Sequence, residues 1–361
     1  MTTPDLCTRL DITLHPDPRR VIVKLFVPGE DAARVRSRTS AIVERIANLD
    51  DDETGHLLRR ALARFGDRHL DLQTFRHHYD LVRHRVAQGS DLSPAARLLV
   101  GAYFSHEYAV EAAALCNPSM VAHPDQHNLA DDQLRVAISL RQIGEGNLSS
   151  IGFATAVLGP DTQLRVADRP GPLMTGHRSN VRHRRDLLAA GLAEQGWDTE
   201  ASATVLNAVA DRFDDDDLAR AVGALPADLL TRSTTQEALE QVRRTTAASY
   251  AADFPTEVPL QQRVLWPATP PESNGREDVR FVQFTGDGET EYRATYTAYD
   301  GRHIAGRLLR TTDFQHFEVT PLRGSSADNK GMALFPRRVA GRQLALSRFA
   351  TTDSATSGQY L

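Results

Sequence analysis

The stretch that follows Pro255 constrains the fold most, because short apolar runs alternate there with turn residues up to about residue 349. The runs are VRFVQFTG, YRATYTAYDG, HIAGRLLRT, FEVTPLRG and RQLALSRF. Short antiparallel strands with a turn roughly every 8 to 12 residues are typical of sandwiches, barrels and propellers. Similar runs, LRVAISLRQIG, SSIGFATAVLG and TQLRVAD, precede residue 170. The chain is therefore predicted to be mainly β.

Helical periodicity precedes and interrupts these β runs. DAARVRSRTSAIVERIANL and DETGHLLRRALARF carry apolar residues at helical spacing. A further helix is predicted to begin with Ser93 as its N-cap and Pro94 in its first turn, and to run on until Asn117-Pro118 stops it. We predict a mostly helical module over 1–104, a first β region over 105–170, a helical insertion over 171–250, a second β region over 251–349 and a disordered tail over 350–361.

Charge and cysteine content restrict the class of protein. The net charge of -5 argues against a general nucleic-acid binder. Cys7 and Cys116 are too few for a disulfide framework, and their spacing fits no zinc site. The first residues lack a signal-peptide pattern, and no apolar run approaches the length of a membrane span. We predict a cytoplasmic protein with no membrane or nucleic-acid partner, which could form a homo-oligomer.

Several charged or glycine-rich motifs have a simple structural interpretation. The aspartates at 214–217 are predicted to offset a helix dipole rather than to bind a metal. The histidines of TFRHHYDLVRHR are predicted to lie on solvated helix faces. GEGNLSS lacks the ending of a phosphate-binding P-loop and is predicted to be a tight β-turn, and SHEYAVEAA lacks the second histidine of a zinc-protease helix. No metal site is predicted.

The octapeptide NGREDVRF places Glu277 and Asp278 between Arg276 and Arg280. Both a solvated turn and a catalytic acid in a charged cleft would fit that composition. In a propeller, the strand ends of successive blades face one central cavity, so distant polar residues can converge there. A cavity with carboxylates, arginines and a lysine suits a polyol and an anion such as phosphate. Polar residues recur at the ends of the predicted strands: Asn117, Arg141, Tyr296, Asp300, Lys330 and Arg348.

The order of six motifs resembles glycoside hydrolase family 130, which comprises inverting β-mannoside phosphorylases and related β-mannosidases. The motifs are EAAALCNPSMVAHPD, LRVAISLRQIGEGNLSSIGFATAV, GREDVRFVQF, YRATYTAYDG, LLRTTDFQHFE and NKGMALFPRRVAGRQLALSR. The resemblance covers residues from about 105 to 165 and from about 245 to 350. It stops at LSRF, so the chain resembles a family member that ends after its third blade.

The resemblance implies a five-bladed β-propeller, here incomplete, with the active site in its central pocket. The family's Glu-Asp-Pro-Arg motif stands as Glu277-Asp278-Val279-Arg280, which implies that Asp278 is the catalytic acid. The resemblance further implies phosphate binding by Lys330 and Arg348, with inorganic phosphate as co-substrate and no cofactor. It implies substrate binding by Asn117, Arg141, Glu277, Arg280, Tyr296 and Asp300.

The implied chemistry is a single displacement at the anomeric carbon of a β-mannoside. The acid protonates the glycosidic oxygen through the 3-hydroxyl of the sugar, and phosphate attacks from the opposite face to give α-mannose 1-phosphate. A phosphorylase needs no base to activate water, unlike an inverting glycosidase. Two alternatives stay open from the sequence: a β-mannoside hydrolase of the same family, and a non-catalytic carbohydrate-binding protein.

Overall fold

A computed structural model describes residues 9–28, 38–65, 72–86, 91–160, 163–286, 289–324, 327 and 330–347. Arg348 and the predicted tail over 350–361 lie outside the described residues. The chain divides into two compact units. The small unit is Asp17–Ala112 with Gly171–Leu173, and the large unit is Met1–Pro16, Ala113–Pro170 and Met174–Leu361. The module boundaries predicted from the sequence stay predictions.

The small unit combines one strand pair with helices. Strand β1 (Val21–Leu25) pairs antiparallel with β2 (Ser105–Ala109). Buried apolar side chains from the helices and from Phe104 form its core. Gly101 allows two helices to approach closely, since a Cβ there would lie 1.8 Å from the Phe75 carbonyl oxygen. The helices are α1 (Arg38–Ala47), α2 (Asp51–Phe65), α3 (Leu72–Val82) and α4 (Pro94–Tyr103).

Helix α4 begins as predicted but ends earlier. The Ser93 hydroxyl accepts a hydrogen bond from the Ala96 N–H at 3.2 Å, and Pro94 lies in the first turn. The prediction that this helix continues to Asn117 is wrong, because it ends at Tyr103. The following residues pair with β1 instead, and helix propensity is a weak preference that such tertiary pairing outweighs.

The prediction of solvated histidines is wrong for His78. Its ring is buried, and Nδ1 lies 2.8 Å from the Ser105 hydroxyl oxygen. Burial, together with the neighbouring His77, lowers the pKa of His78 to about 4. His77 and His84 are exposed, as predicted. The helical pattern could not show which histidine faces the core.

The large unit contains a twelve-stranded mixed sheet with the order β3-β4-β5-β13-β14-β15-β16-β11-β8, to which β6, β7 and β12 add at the side. One parallel bridge, between Gly275 and Ser149, joins β13 to β5. The strands are β3 (Ala114–Ala122), β4 (Leu134–Ile143), β5 (Ser149–Leu158), β6 (Leu164–Val166), β7 (Met174–Thr175), β8 (His177–Ser179), β11 (Tyr250–Asp253), β12 (Arg263–Leu265), β13 (Gly275–Gly286), β14 (Glu289–Tyr299), β15 (Ile304–Thr311) and β16 (His316–Pro321).

Four short strands complete the large unit: β9 (His183–Arg184) pairs with β10 (Arg212–Phe213), and β17 (Ala333–Val339) pairs with β18 (Arg342–Leu346). The prediction of a β-rich chain with helical additions is confirmed. Strands β3 to β6 and β13 to β16 form two antiparallel meanders, which is the strand pattern of a propeller blade. The five-bladed ring itself stays a prediction.

The helices of the large unit pack around a second apolar core. Asp214 caps α7 by accepting from the Asp217 N–H at 2.9 Å, while the Asp217 carboxylate accepts from the Asp214 N–H. The prediction that the aspartate run begins a helix is therefore confirmed. The helices are α5 (Arg185–Glu194), α6 (Glu200–Ala208), α7 (Asp215–Gly223), α8 (Ala227–Leu230) and α9 (Ser233–Ala247).

Candidate active site

Two β-bulges form the centre of the candidate site. The pairing of β3 with β4 shifts between Cys116 and Ser119, and the pairing of β13 with β14 shifts between Glu277 and Arg280. Each bulge contains a non-glycine residue with positive φ, Asn117 at 52° and Asp278 at 56°. Asn and Asp tolerate this conformation best among residues with a side chain, and bulges re-aim side chains near active sites.

Two hydrogen bonds hold these bulges against each other. Arg280 Nη1 donates to the Asn117 carbonyl oxygen at 3.2 Å, and the Phe281 N–H donates to Ser119 Oγ at 3.0 Å. Val279 is fully buried in the apolar core. The backbone on both sides of Asp278 is therefore fixed, which limits the directions that its carboxylate can take.

A charged cluster lies beside the second bulge. Arg141 from β4 donates from Nη2 to Glu277 Oε1 at 2.7 Å and from Nη1 to Asp278 Oδ1 at 3.2 Å. Its Nε donates to Ser149 Oγ at 3.0 Å. The Asp278 side chain is 22% exposed and that of Glu277 only 9%. The guanidinium thus uses its planar fork to hold two carboxylates that follow each other in the chain.

Lys330 adds a second cation to this cluster. Its Nζ lies 2.8 Å from Glu277 Oε2 and 5.4 Å from the centre of the Tyr299 ring. The Lys330 side chain is 34% exposed. Glu277 is therefore held between two cations, while Asp278 is the more exposed of the two carboxylates. Arg348, the other predicted phosphate ligand, lies outside the described residues.

Two further predicted site residues are engaged in other contacts. Tyr296 is buried, and its hydroxyl donates to Glu272 Oε1. Asp300 lies in the turn between β14 and β15, where its carboxylate accepts from the N–H groups of His303 at 2.6 Å and Arg302 at 2.8 Å. These hydrogen bonds hold the pKa of Asp300 at about 2. The Tyr296 hydroxyl is therefore bound inside the sheet, and the Asp300 carboxylate is bound within the turn between β14 and β15.

A buried polar network lies beneath the site. Arg276 Nη2 lies 3.2 Å from Glu272 Oε2 and donates to the Tyr250 hydroxyl, whose oxygen is also 3.1 Å from both carboxylate oxygens of Glu272. The Arg276 and Glu272 side chains are only 1% and 0% exposed. Burial by itself would raise the pKa of Glu272, but Arg276 and the Tyr296 hydroxyl hold it below its ordinary value.

The two arginines of NGREDVRF therefore have separate structural contacts. Arg276 belongs to the buried network and Arg280 links the two bulges, whereas Arg141 binds the Asp278 carboxylate. The predicted substrate binding by Arg280 stays a prediction. Strand β13 places one arginine in the core because the strand is packed on both faces.

Three residues that shape the site were not among the candidates predicted from the sequence. Ser149 orients Arg141, Ser119 fixes the β13 bulge, and Glu272 neutralises Arg276. Ser149 ends the predicted turn GEGNLS directly after β4, so its position beside Arg141 could have been inferred from a hairpin. Glu272 ends a short 3-10 helix (Pro270–Glu272), which is too short for a periodic pattern to indicate burial.

A small cavity lies beside Asp278. Asp278 lines a cavity of about 10 Å³ together with Tyr296, Gly306 and Met332, which is room for about one water molecule.

Within the described part of the chain, no group of three or more His, Cys, Asp or Glu residues is placed to hold a metal ion. No described helix is long and apolar enough to cross a membrane.

Comparison with known proteins identifies no family for this chain. No protein-family model and no curated protein matches the sequence. Among solved structures, the chain matches the β-1,2-mannobiose phosphorylase from Listeria innocua in its complex with β-1,2-mannobiose. The match has a TM-score of 0.24 and 13% identity, and it covers 67% of this chain and 55% of that structure. A likeness at this TM-score does not establish a shared fold.

Proposed function

We propose that this chain is a carbohydrate-active enzyme that cleaves β-mannosides by phosphorolysis, with Asp278 as the proton donor. The observation that carries the proposal is the convergence of Arg141, Glu277, Asp278 and Lys330 in one partly exposed cluster. The order of the motifs supports it independently, since the same residues correspond to site residues of glycoside hydrolase family 130.

Asp278 supplies the proton. Its carboxyl group is the more exposed member of the acid pair, and the bulge and Arg141 fix its position. The proton passes through the 3-hydroxyl of the mannose to the glycosidic oxygen, which leaves with the acceptor sugar as the bond from the anomeric carbon breaks. A phosphate oxygen forms the new bond to that carbon from the opposite face, which inverts its configuration.

Lys330 is proposed to hold the phosphate in this reaction. An ammonium group is a compact point charge that carries three donors, and this one is partly exposed beside Glu277. Glu277 keeps both Lys330 and Arg141 in place, so it acts as a positioning residue in the proposal. Arg348 stays a predicted second phosphate ligand, and binding of sugar hydroxyls by Asn117, Tyr296 and Asp300 stays a prediction.

The test is turnover of β-mannobioses and β-mannosyl-glucose with and without inorganic phosphate, with mannose 1-phosphate as the product measured. We expect phosphate-dependent product, and a loss of about 10²-fold or more in Asp278→Asn because general acid catalysis contributes that much. Asp186→Asn is the matched control and should retain full activity. Asp186 lies in α5, and its ion pair with Arg184 is exposed.

Other outcomes would change the assignment. Free mannose produced at the same rate without phosphate would identify a hydrolase and overturn the role of Lys330. Sugar binding without turnover, unchanged in Asp278→Asn, would identify a carbohydrate-binding protein. Equal turnover of Asp278→Asn and the unsubstituted chain would refute Asp278 as the acid.

A further inference from the structure

A second cavity of the large unit, of about 940 Å³, has no role in the reaction proposed above. Residues of α5, α9, β15 and β16 line it. Its volume lies near the upper end of the range of about 300–1,000 Å³ that small-molecule sites occupy. It shares only Gly306 and Leu322 with the small cavity that Asp278 lines.

Arg307 of β15 lines this cavity and is only 3% exposed. Its Nη1 makes a long hydrogen bond of 3.4 Å to the Ala248 carbonyl oxygen, and its Nε has no hydrogen-bond partner. Arg276 and Arg307 both act on the single buried carboxylate of Glu272. The group of Arg276, Arg307 and Glu272 therefore holds two buried cations and one buried anion, which is unfavourable without a further anion.

Arg323 is a second arginine of the same cavity with weak pairing. Its Nη1 lies 3.6 Å from Glu194 Oε2, and its buried Nε has no hydrogen-bond partner. The guanidinium packs against Gly191 of α5, where a Cβ would lie 2.4 Å from Arg323 Nη2. Burial lowers the pKa of Arg323, and the charge of Arg307 lowers it further although Glu194 opposes this.

We propose that this cavity binds the phosphate group of a phosphorylated sugar, with Arg323 in contact with the phosphate and Arg307 as the buried cation that attracts it. Guanidinium groups match phosphate oxygens with two parallel donors. The amides of Gln195 and Gln241 in the same lining accept hydrogen bonds from sugar hydroxyls. The proposal goes beyond the reaction at Asp278 and does not depend on it.

The test is calorimetric titration of the full chain with glucose 6-phosphate. We expect binding that Arg323→Gln weakens at least tenfold, with a smaller loss in Arg323→Lys because the charge is kept and the planar fork is lost. Arg310→Gln is the matched control, since this exposed arginine pairs with Glu291 away from the cavity lining, and it should leave binding unchanged. Glucose alone and inorganic phosphate alone should both bind more weakly.

A second variant distinguishes loss of the Arg323 contact from misfolding of the Arg323→Gln protein. Gly191→Ala keeps the arginine but displaces it, and should also weaken binding while the protein remains folded by circular dichroism. Equal affinity in the unsubstituted chain, Arg323→Gln and Gly191→Ala would overturn the proposal, and inorganic phosphate binding as tightly would overturn its sugar part. Loss of binding in Lys330→Gln but not in Arg323→Gln would place the ligand beside Asp278 instead, and would also overturn it.

Discussion

Replacement of Glu272 by glutamine tests whether the buried charge network stabilises the large unit. The carboxylate is fully buried and accepts hydrogen bonds from two tyrosine hydroxyls and from Arg276. Two backbone N–H groups also donate to it, those of Ala268 at 2.9 Å and Thr269 at 3.1 Å. Glutamine has nearly the same shape, but it carries no charge and its NH2 group donates where a carboxylate oxygen accepts, so the change removes the ionic contact together with part of the hydrogen bonding.

The expected loss is large because Arg276 would remain charged in the core. Its Nε and Nη1 already have no hydrogen-bond partner. Removing one partner of a buried ion pair costs about 3–5 kcal/mol. For a unit of this size each kcal/mol corresponds to roughly 2–4 °C in melting temperature, so Glu272→Gln should melt about 10 °C lower.

The pH dependence gives a second prediction for the same residue. The folded pKa of Glu272 lies below its ordinary value of 4.5. A carboxyl group with a depressed folded pKa contributes stability that is present above the unfolded pKa and is lost as the pH falls through the folded pKa. The unsubstituted chain should therefore lose stability on acidification below about pH 4.5, and Glu272→Gln should lose less of it.

The assay is urea denaturation followed by tryptophan fluorescence, since Trp197 and Trp266 both belong to the large unit. Glu240→Gln is the matched control, because its pair with Arg244 is exposed and such pairs contribute at most about 0.5 kcal/mol. A loss in Glu272→Gln no greater than in Glu240→Gln would refute the reasoning.

A double-mutant cycle tests the physical cause directly. Arg276→Met removes the buried cation, so the double variant Glu272→Gln/Arg276→Met should be more stable than Glu272→Gln alone. Contacting residues of this kind are coupled by about 0.5–3 kcal/mol. Free energies of unfolding that simply add would show that the loss in Glu272→Gln does not arise from the unpaired charge of Arg276.

Three further changes have defined outcomes. Acid should destabilise the small unit through His78, because its folded pKa of about 4 lies below the ordinary 6.5. The stability that the neutral ring contributes is fully present above pH 6.5 and falls by up to roughly 3 kcal/mol towards pH 4. Hydrogen exchange of α3 measures this loss. Gly275→Ala should cost at least about 2 kcal/mol in urea denaturation, because φ is 133° and a Cβ would lie 2.7 Å from the Ser149 nitrogen. Gly101→Ala should increase hydrogen exchange in α3 and α4, because its Cβ would overlap the Phe75 carbonyl.

Matched controls exist for these changes. His84→Gln, at another exposed position of the same motif, should leave the pH dependence unchanged, whereas His78→Gln should remove it. Gly223→Ala is the glycine control, because a Cβ there meets nothing within 4 Å. A loss in Gly223→Ala equal to that in Gly275→Ala or Gly101→Ala would contradict the steric explanation.

The regular part of the fold could be predicted from local patterns. The alternation in LRVAISLRQIG and VRFVQFTG coincides with β4 and β13, and the cap at Ser93 coincides with the start of α4. The end of α4 could not be predicted, because β2 forms only by pairing with β1, which lies far away in the chain. The burial of His78 depends in the same way on a contact with a distant residue.

The candidate site shows the same limit more strongly. Arg141 and Asp278 are 137 residues apart, and no spacing rule places their side chains together. Only the resemblance of ordered motifs placed them in one site. The sequence predicted a helix end at Asn117 and a strand that begins only at Val279, so neither bulge was predicted, and the positive φ values had no sequence signal beyond the tolerance of Asn and Asp.

Strand β13 links stability to the proposed chemistry. Arg276 anchors the strand in the core through Glu272, and the next residues, Glu277 and Asp278, turn outward at the bulge to meet Arg141. A bulge disrupts the ladder locally, so the orientation of Asp278 depends on what holds the strand on either side of it. Arg276 holds the side before it, and the link from Arg280 to Asn117 holds the side after it. Loss of either anchor should therefore lower turnover more than it lowers sugar binding, because catalysis depends on the position of the proton donor while binding does not.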